Sequence, residues 1–328
     1  LSAGAEFPTT VENIRKRRSR LTGWFPNTKI SFTKLLQRNS KLLVRFPVKL
    51  NRSGWPATIG ELLHGKFDPR CILESDVTPQ EFSASMSALK FGATYKSTKD
   101  ARFPLTLSKI TALEFPHPPK VLDVGASDGS ASLEIIQSID FSHYFITDSN
   151  VFVHTADDGK WTYFFTLDGW PILAASDRWV VYNDATNAFP PLGFISRKTF
   201  KSANLLFENS TREIELINPR IREIIGRDVS FNPYNAMEKW EGGKIDLIIV
   251  ANLLNRTYFD DDQMRRILNN LSAALANEGW IVLIDNRGTE RSSILRVEPR
   301  GVTVTDQVSG GASSEALALS VLNQGMKQ

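Results

Sequence analysis

The sequence predicts an α/β fold organised around a mostly parallel sheet, and three stretches of the chain support this. Residues 120–124 form a β-prone run that ends in a glycine-containing turn, and a helical pattern follows at 130–136. Residues 247–251 are five consecutive apolar residues, as expected of a strand buried on both faces. An amphipathic helical pattern at 260–275 leads into another apolar run at 279–285. Strands that alternate with helices in this way are typical of parallel sheets.

The turn between Gly125 and Gly129 has the features of a nucleoside- or phosphate-binding turn. Glycine allows the backbone to bend sharply and to approach a ligand closely. A helix beginning near Ser130 would point its free N–H groups back into this turn, at the carboxyl edge of the sheet. Residues 125–130 have glycine at only the first position of the dinucleotide fingerprint Gly-x-Gly-x-x-Gly. A structural turn that binds no ligand is the alternative.

A second motif fits the same turn better. Asp123, Gly125 and Gly129 match Asp-x-Gly-x-Gly-x-Gly, with Ser127 in place of the middle glycine. This resembles the first motif of class I S-adenosylmethionine-dependent methyltransferases, and the resemblance extends over about residues 119–310, apart from residues 151–217. It implies a Rossmann-like, seven-stranded, mostly parallel sheet with an antiparallel last strand, and S-adenosyl-L-methionine as cofactor. The residues implied to bind the cofactor at this turn are Asp123, Gly125, Ala126, Ser127 and Gly129.

The predicted second strand, residues 142–148, ends in an acidic residue. Asp148 lies 25 residues beyond Asp123, close to where nucleotide-binding folds place a carboxylate for the ribose hydroxyls. Two hydroxyl donors are best held by a bidentate acceptor, and a carboxylate supplies one. Asp148 and the adjoining Ser149 are therefore predicted cofactor-binding residues. The alternative is that Asp148 caps a turn with Ser149 and Asn150.

The third core strand is predicted at residues 229–231, followed by a short polar segment. In class I methyltransferases, an acidic or amide residue followed by a small residue here lies beside the adenine ring. The resemblance therefore implies that Asn235 and Ala236 bind adenine and that Met237 covers the ring face.

The strand at residues 244–251 resembles the fourth methyltransferase motif, and its carboxyl end should face the transferred methyl group. Ala251 and Asn252 are therefore expected at the cofactor. The polar residues that follow are catalytic candidates by the same resemblance: Asn255, Arg256 and Tyr258. Asn255 and Arg256 have an alternative explanation as a helix entry or a surface ion pair.

Two β-prone runs close together, residues 293–298 and 301–308, predict the antiparallel pairing at the end of the sheet. Methyltransferases have this feature and dinucleotide-binding folds do not. A last helix is predicted at residues 313–322.

The chemistry implied by the resemblance is in-line displacement of the cofactor's methyl group by an O, N or C nucleophile. The protein would mainly position and desolvate the reactants. A hydroxyl acceptor usually also needs a base near the methyl group. His154 and Tyr258 are the candidates, because Asp148 is assigned to the ribose.

The sequence divides into three predicted units. The predicted units are a basic arm and helical cap at residues 1–118, a methyltransferase core at 119–150 and 218–328, and an inserted β-rich substrate subdomain at 151–217. In the insertion, β-prone runs are separated by Asp158-Gly159 and Asp168-Gly169, which predicts hairpins. Its many aromatic residues suggest a substrate wall. In the first unit, Thr78, Pro79 and Glu81 fit a capping box, which predicts a helix to about Lys90.

Charge is distributed unevenly along the chain. Residues 1–52 carry 12 Lys and Arg against 2 Glu, a net charge of +10, and the remainder has a net charge of −7. The basic residues at 11–25 stand beside Trp24 and Phe25, a combination found on single-stranded nucleic-acid surfaces. The alternative is that this arm packs on the acidic remainder of the chain.

Composition narrows the compartment and the chemistry. The one cysteine, Cys71, excludes an intrachain disulfide and fits a reducing cytoplasm, and with only four histidines it argues against a zinc site. No apolar run of about 18 residues would span a membrane, and no signal peptide is expected. The favoured function is methyl transfer to an O or N atom of a small-molecule or glycan-type acceptor. A nucleic-acid methyltransferase and a non-catalytic binding module are the alternatives, and the oligomeric state is left open.

Overall fold

The computed structural model describes residues 41–46, 65–92, 94–96, 102–183, 190–286 and 288–325. The strands are β1 (Leu42–Phe46), β2 (Gly65–Phe67), β3 (Lys90–Phe91), β4 (Thr94–Tyr95), β5 (Lys120–Val124), β6 (His143–Asp148), β7 (Phe152–Asp157), β8 (Thr162–Phe165), β9 (Pro171–Ala175), β10 (Trp179–Tyr182), β11 (Arg212–Glu215), β12 (Val229–Pro233), β13 (Ile245–Ala251), β14 (Leu275–Asn286), β15 (Glu290–Glu298) and β16 (Gly301–Val308). The helices are α1 (Pro79–Met86), α2 (Pro104–Ile110), α3 (Ser132–Ile136), α4 (Pro190–Thr199), α5 (Ala203–Ser210), α6 (Pro219–Arg222), α7 (Asp261–Ala274) and α8 (Glu315–Gly325), with a 3-10 turn at Pro69–Leu73. Within these ranges no helix is both long and apolar enough to cross a membrane. The predicted basic arm at residues 11–25 lies outside the described residues.

Seven strands form the core sheet, in the order β12-β6-β5-β13-β14-β15-β16. The first five run parallel to one another. Strand β15 runs antiparallel to both β14 and β16. The predicted seven-stranded, mostly parallel Rossmann-like sheet is confirmed. The strand that opposes the other six is the next to last in the chain, and β16 lies at the edge.

Alternate residues of β13 point to opposite faces of the core sheet, which explains its unbroken apolar sequence. Ile248 and Val250 share a hydrophobic core with residues of α7 and α8. Leu247 and Ile249 share a second core with residues of α2, α3 and α6. Helices therefore cover both faces of the sheet, and the carboxyl ends of its parallel strands meet along one edge.

A second seven-stranded sheet contains the predicted meander, in the order β11-β7-β8-β9-β10-β1-β2. Strands β7 to β10 pair antiparallel in succession, as the Asp-Gly turns predict. Strand β1 adds parallel to β10, and β2 pairs antiparallel with β1. Strands from before the core and from the predicted insertion thus belong to one sheet, although the sequence assigns them to separate units. The insertion is not β-rich throughout, because α4 and α5 also lie within it.

The capping box at the start of α1 is present as predicted. Thr78 Oγ1 accepts a hydrogen bond from the backbone N–H of Glu81 at 3.3 Å. The Glu81 carboxylate accepts one from the backbone N–H of Thr78 at 3.3 Å. The helix ends at Met86 rather than near Lys90. Its apolar face packs into the core of the second sheet.

A buried carboxylate joins α1 to the core. Asp128, in the turn after β5, is fully buried. Its Oδ2 accepts hydrogen bonds from Ser83 Oγ of α1 at 2.7 Å and from Asn218 Nδ2 at 3.4 Å, and its Oδ1 accepts one from the backbone N–H of Ser130. Asn218 also caps α6 through its side chain, which accepts from the backbone N–H of Arg220. Asp128 therefore fixes two helices against the turn.

The cap of α1 can be tested by Thr78→Ala. The substitution removes the side-chain acceptor at the helix start, so we expect the free energy of unfolding to fall by about 1 kcal/mol. Chemical denaturation followed by circular dichroism measures this loss. Thr257→Ala, at an exposed threonine in a turn, is the matched control and should change stability by less than about 0.5 kcal/mol. Equal effects of the two substitutions would contradict the capping role.

Candidate active site

A cavity of about 370 Å³ lies at the carboxyl ends of β5, β6, β12 and β13. Eleven of the predicted site residues line it: Asp123, Gly125, Ala126, Ser127, Asp148, Ser149, Asn235, Ala236, Ala251, Asn252 and Tyr258. The other predicted site residues lie outside its lining: Gly129, Met237, His154, Asn255 and Arg256. Among the described residues, no group of three or more His, Cys, Asp and Glu side chains is placed to hold a metal ion.

The turn after β5 uses left-handed backbone conformations, with φ of +73° at Gly125 and +62° at Ser127. A Cβ atom on Gly125 would lie 3.2 Å from Cδ1 of Leu253, so the loop after β13 packs directly on this turn. A non-glycine residue in the left-handed region is strained by roughly 1–2 kcal/mol. Ser127 Oγ is also buried, and no hydrogen-bond partner for it occurs among the described residues.

Gly129 and Met237, predicted at the cofactor, have other contacts. Gly129 also has a positive φ, +80°. A Cβ atom there would lie 3.0 Å from Ile221 Cγ1, so glycine lets α6 pack on the turn. The backbone N–H of Met237 donates to Asn235 Oδ1 at 3.0 Å, and the Met237 side chain packs against the core that contains α7.

Asp123, the acid of the first motif, lines the cavity but is almost inaccessible to solvent. The carboxylate is nearly fully buried, and its Oδ2 accepts hydrogen bonds from Ser132 Oγ at 2.6 Å and from the Tyr144 hydroxyl at 3.0 Å. Burial raises the pKa of Asp123 to about 6, and the two hydroxyl donors act against this rise. Asp123 thereby fixes the start of α3 and strand β6 beneath the turn.

Asp148 directs its carboxylate to the cavity, where three donors already bind it. Its Oδ1 accepts from Lys96 Nζ at 2.7 Å and from the backbone N–H of Asn150 at 2.8 Å. Its Oδ2 accepts from the backbone N–H of Ser127 at 3.0 Å. The turn contact that the sequence offers as an alternative role is thus present. The ion pair with Lys96 is not predictable from the sequence, because the two residues are 52 positions apart.

Asn252 stands at the end of β13 in a left-handed conformation, with φ of +57°. Its Oδ1 accepts from the backbone N–H of Asn286 at 2.7 Å, which fixes the side chain. Its Nδ2 is buried, and it has no hydrogen-bond partner among the described residues. Two residues that line the cavity, Asn252 and Ser127, therefore each have a buried side-chain polar atom without a hydrogen-bond partner among the described residues.

The contacts of Asn255 and Arg256 match the alternative explanation rather than a catalytic one. Asn255 is buried, and its Nδ2 donates to the backbone carbonyl of Asn252 at 3.0 Å. Its Oδ1 accepts from the backbone N–H of Thr257, so the side chain closes the turn. The Arg256 side chain is 79% exposed and pairs with Asp261 at 3.0 Å. The expectation that these two residues face the reacting groups is corrected by this placement.

His154 is also displaced from the site that the sequence suggests. It lies on β7 in the second sheet, where its ring contacts Phe207 edge-on and its Nε2 lies 3.8 Å from the Glu213 carboxylate. His154 is not among the residues that line the cavity, and this placement corrects the expectation that it acts as the base. Tyr258 is the catalytic candidate that lines the cavity.

Part of the cavity wall comes from the segment before the core, which the sequence predicts to be a helical cap. Residues lining this wall are Phe91, Thr94, Tyr95, Lys96, Arg102 and Phe103. They belong to the β3–β4 hairpin and the start of α2, whereas a helical cap is the sequence-based expectation. The Tyr95 hydroxyl accepts from Arg45 Nη2 at 3.2 Å, which ties the wall to β1. Burial lowers the pKa of the Arg102 guanidinium.

Comparison with known proteins gives only distant structural matches. No protein-family model and no curated protein matches the chain. Solved structures that match include the N-methyltransferase NodS of Bradyrhizobium japonicum WM9 in complex with S-adenosyl-L-homocysteine, at 13% identity over 55% of this chain and 58% of NodS, with a TM-score of 0.27.

Two further matches are an O-methyltransferase family protein of Burkholderia thailandensis and an amino pentose methyltransferase of Micromonospora echinaspora. The first is 12% identical over 65% of this chain and 42% of its own, with a TM-score of 0.30. The second is 14% identical over 66% and 79%, with a TM-score of 0.29. The aligned part spans less than two thirds of the first matched proteins. Identities and TM-scores at this level assign no family.

The buried carboxyl of Asp123 should make stability depend on pH. Because its pKa is raised from 3.8 to about 6, the folded protein holds a proton that the unfolded chain releases in this window. Stability is therefore highest below the window and falls by about 3 kcal/mol as pH rises through it. Asp123→Asn keeps an acceptor for both donors and cannot ionise, so this contribution should disappear.

The measurement is chemical denaturation of both proteins between pH 3.5 and 7. We expect the stability of the wild type relative to Asp123→Asn to fall across the range. Asp76→Asn, at an exposed aspartate, is the control and should run parallel to the wild type. Parallel curves for Asp123→Asn would contradict the buried titration.

Proposed function

We propose that this protein is an S-adenosylmethionine-dependent methyltransferase that acts on an O or N atom of a small-molecule or glycan-type acceptor. The observation that carries the proposal is the cavity at the carboxyl ends of β5, β6, β12 and β13, where residues from all four resembling motifs converge. In open α/β sheets, ligands bind at this edge, where the strand order reverses. That reversal falls between β5 and β13.

The residues at the cavity fit an adenosyl cofactor in two respects. Gly125 lines the cavity in a left-handed conformation that glycine adopts without strain. Ser127 and Asn252 line the cavity, and the buried atoms Ser127 Oγ and Asn252 Nδ2 each need a hydrogen-bond partner. A ligand with amino-acid, ribose and base groups supplies such partners. An apolar ligand would leave both atoms unsatisfied.

Each part of the cofactor has proposed contacts. Asp148 and Ser149 would bind the ribose, and Asn235 with Ala236 would bind the adenine. The amino-acid end would lie against Ala126 and Ser127, and Ala251 with Asn252 would lie near the sulfonium. The bound cofactor supplies a methyl group that is already activated for transfer. The work of the protein is then to orient the acceptor and exclude water from the cavity.

The part of the cavity wall that comes from residues 91, 94–96 and 102–103 supports an acceptor of small size. Three aromatic residues, Phe91, Tyr95 and Phe103, belong to it. Such rings suit a planar or sugar-ring acceptor. The sequence assigns this task to the insertion, but none of the described residues of 151–217 lines the cavity. The Tyr258 hydroxyl is the proposed group that orients the accepting atom or takes its proton.

A binding module without catalysis is the second candidate. It is favoured by the ion pair between Lys96 and Asp148, which engages the proposed ribose carboxylate, and by Ser127 in place of a motif glycine. Cofactor binding without turnover on any acceptor would favour this candidate. The nucleic-acid alternative depends on residues 11–25, which lie outside the described residues.

Calorimetric titration of the full chain with S-adenosylmethionine tests the proposed function. We expect measurable heat and a raised melting temperature at saturating cofactor. The absence of both would contradict the proposal.

Asp148→Ala should weaken cofactor binding by about 1–3 kcal/mol, because it leaves ribose hydroxyls unpaired. Asp76→Ala, at an exposed aspartate away from the cavity, is the matched control and should bind as the wild type does. Melting temperatures of the free proteins show whether each variant is folded. A dissociation constant unchanged by Asp148→Ala would exclude Asp148 as the ribose ligand.

A further inference from the structure

A buried lysine, Lys96, forms an ion pair with Asp148, the carboxylate proposed to bind the ribose of the cofactor. The Lys96 side chain is 6% exposed, and its Nζ lies 2.7 Å from Asp148 Oδ1. The backbone N–H of Lys96 donates to the carbonyl of Leu89 at 3.0 Å, which holds the residue beside the cavity. Both Lys96 and Asp148 line the cavity, so the ion pair lies inside the proposed binding site.

The acceptor capacity of Asp148 is nearly used. A carboxylate offers about four lone-pair positions, two on each oxygen. Lys96 Nζ and the backbone N–H of Asn150 occupy both positions on Oδ1, and the backbone N–H of Ser127 occupies one on Oδ2. One position therefore remains. A ribose with two hydroxyl donors requires two, and the two backbone donors belong to the fixed turns around the site.

We propose that Lys96 is a latch on the ribose site, which must leave Asp148 before both hydroxyls of an adenosyl ligand can bind. This inference rests on the proposed function. The latched and open states are in equilibrium, and the apparent affinity for the ligand is reduced by the fraction of open protein. If the latched state makes up about 90% of the protein, the ligand binds about tenfold more weakly than to the open state.

The local structure allows the lysine to leave. Lys96 follows β4, and β3 and β4 have two residues each and pair with each other in a sheet of their own. A lysine ammonium is strongly hydrated once it reaches solvent. One ribose hydroxyl then takes its place on Oδ1 and the other takes the free position on Oδ2, so the carboxylate keeps its hydrogen bonds.

Lys96→Met tests the latch, because it keeps the length of the side chain and removes the ammonium. We expect the variant to bind S-adenosylhomocysteine at least tenfold more tightly than the wild type, measured by calorimetry. Lys90→Met, on the same hairpin, is the matched control and should change affinity less than twofold. Adenosine should gain affinity from Lys96→Met, and 2′,3′-dideoxyadenosine should not, since it has no hydroxyls to compete with the lysine.

The outcomes separate the latch from the proposed function. If the wild type binds S-adenosylhomocysteine and Lys96→Met binds it equally well or more weakly, the latch is overturned and the proposed function still stands. A gain for the dideoxy compound equal to that for adenosine also overturns the latch. If neither the wild type nor Lys96→Met binds any of the three ligands, the latch and the proposed function fall together.

A measurement on the wild type alone applies even if Lys96→Met does not fold. Amine labelling followed by mass spectrometry reports how accessible each lysine is. We expect Lys96 to be labelled faster in the presence of saturating S-adenosylhomocysteine, because the ligand releases it from Asp148, while Lys90 keeps its rate. Slower labelling of Lys96 with ligand would mean that the lysine stays in the site, and would overturn the latch.

Discussion

The carboxylate of Asp148 is the contact on which the shape of the cavity depends. Through its two oxygens it binds the turn after β5, the turn after β6 and the ammonium of Lys96. Its backbone carbonyl accepts from Tyr234, directly after β12. Four segments that are distant in sequence therefore meet at one residue. Removing a hydrogen-bonded charge from such a place leaves its donors unpaired, and the other ion of the pair is then buried without compensation.

The carboxylates around the first turn have different tasks because their surroundings differ. Asp123 lies under the turn, bound to two hydroxyl groups, where burial raises its pKa. Asp128 lies behind the turn and joins α1 and α6 to it. Asp148 alone faces the cavity with its charge matched by a cation. The buried carboxylates of Asp123 and Asp128 therefore stabilise the turn, and its cavity side is left for a ligand.

The second sheet contributes to the site from a distance. It combines strands from before the core with strands inserted between the second and third core strands, and α1 packs against it. Through Ser83 the helix contacts the turn, and through Arg45 strand β1 contacts the cavity wall. The sheet therefore supports the wall and the turn, although four of its aromatic residues are buried in its own cores: Tyr163, Phe164, Phe165 and Tyr182.

The sequence by itself determined the parallel core sheet, the turn after β5, the capping box of α1 and eleven of the residues that line the cavity. These features depend on local patterns: apolar runs, glycine spacing, caps, and the rule that parallel strands end at a common edge. Tertiary structure decided that β1 and β2 join the meander, that His154 and Arg256 lie elsewhere, and that Lys96 meets Asp148. Such contacts join single residues far apart in the chain, and burial rather than periodicity selects them, so no local pattern records them.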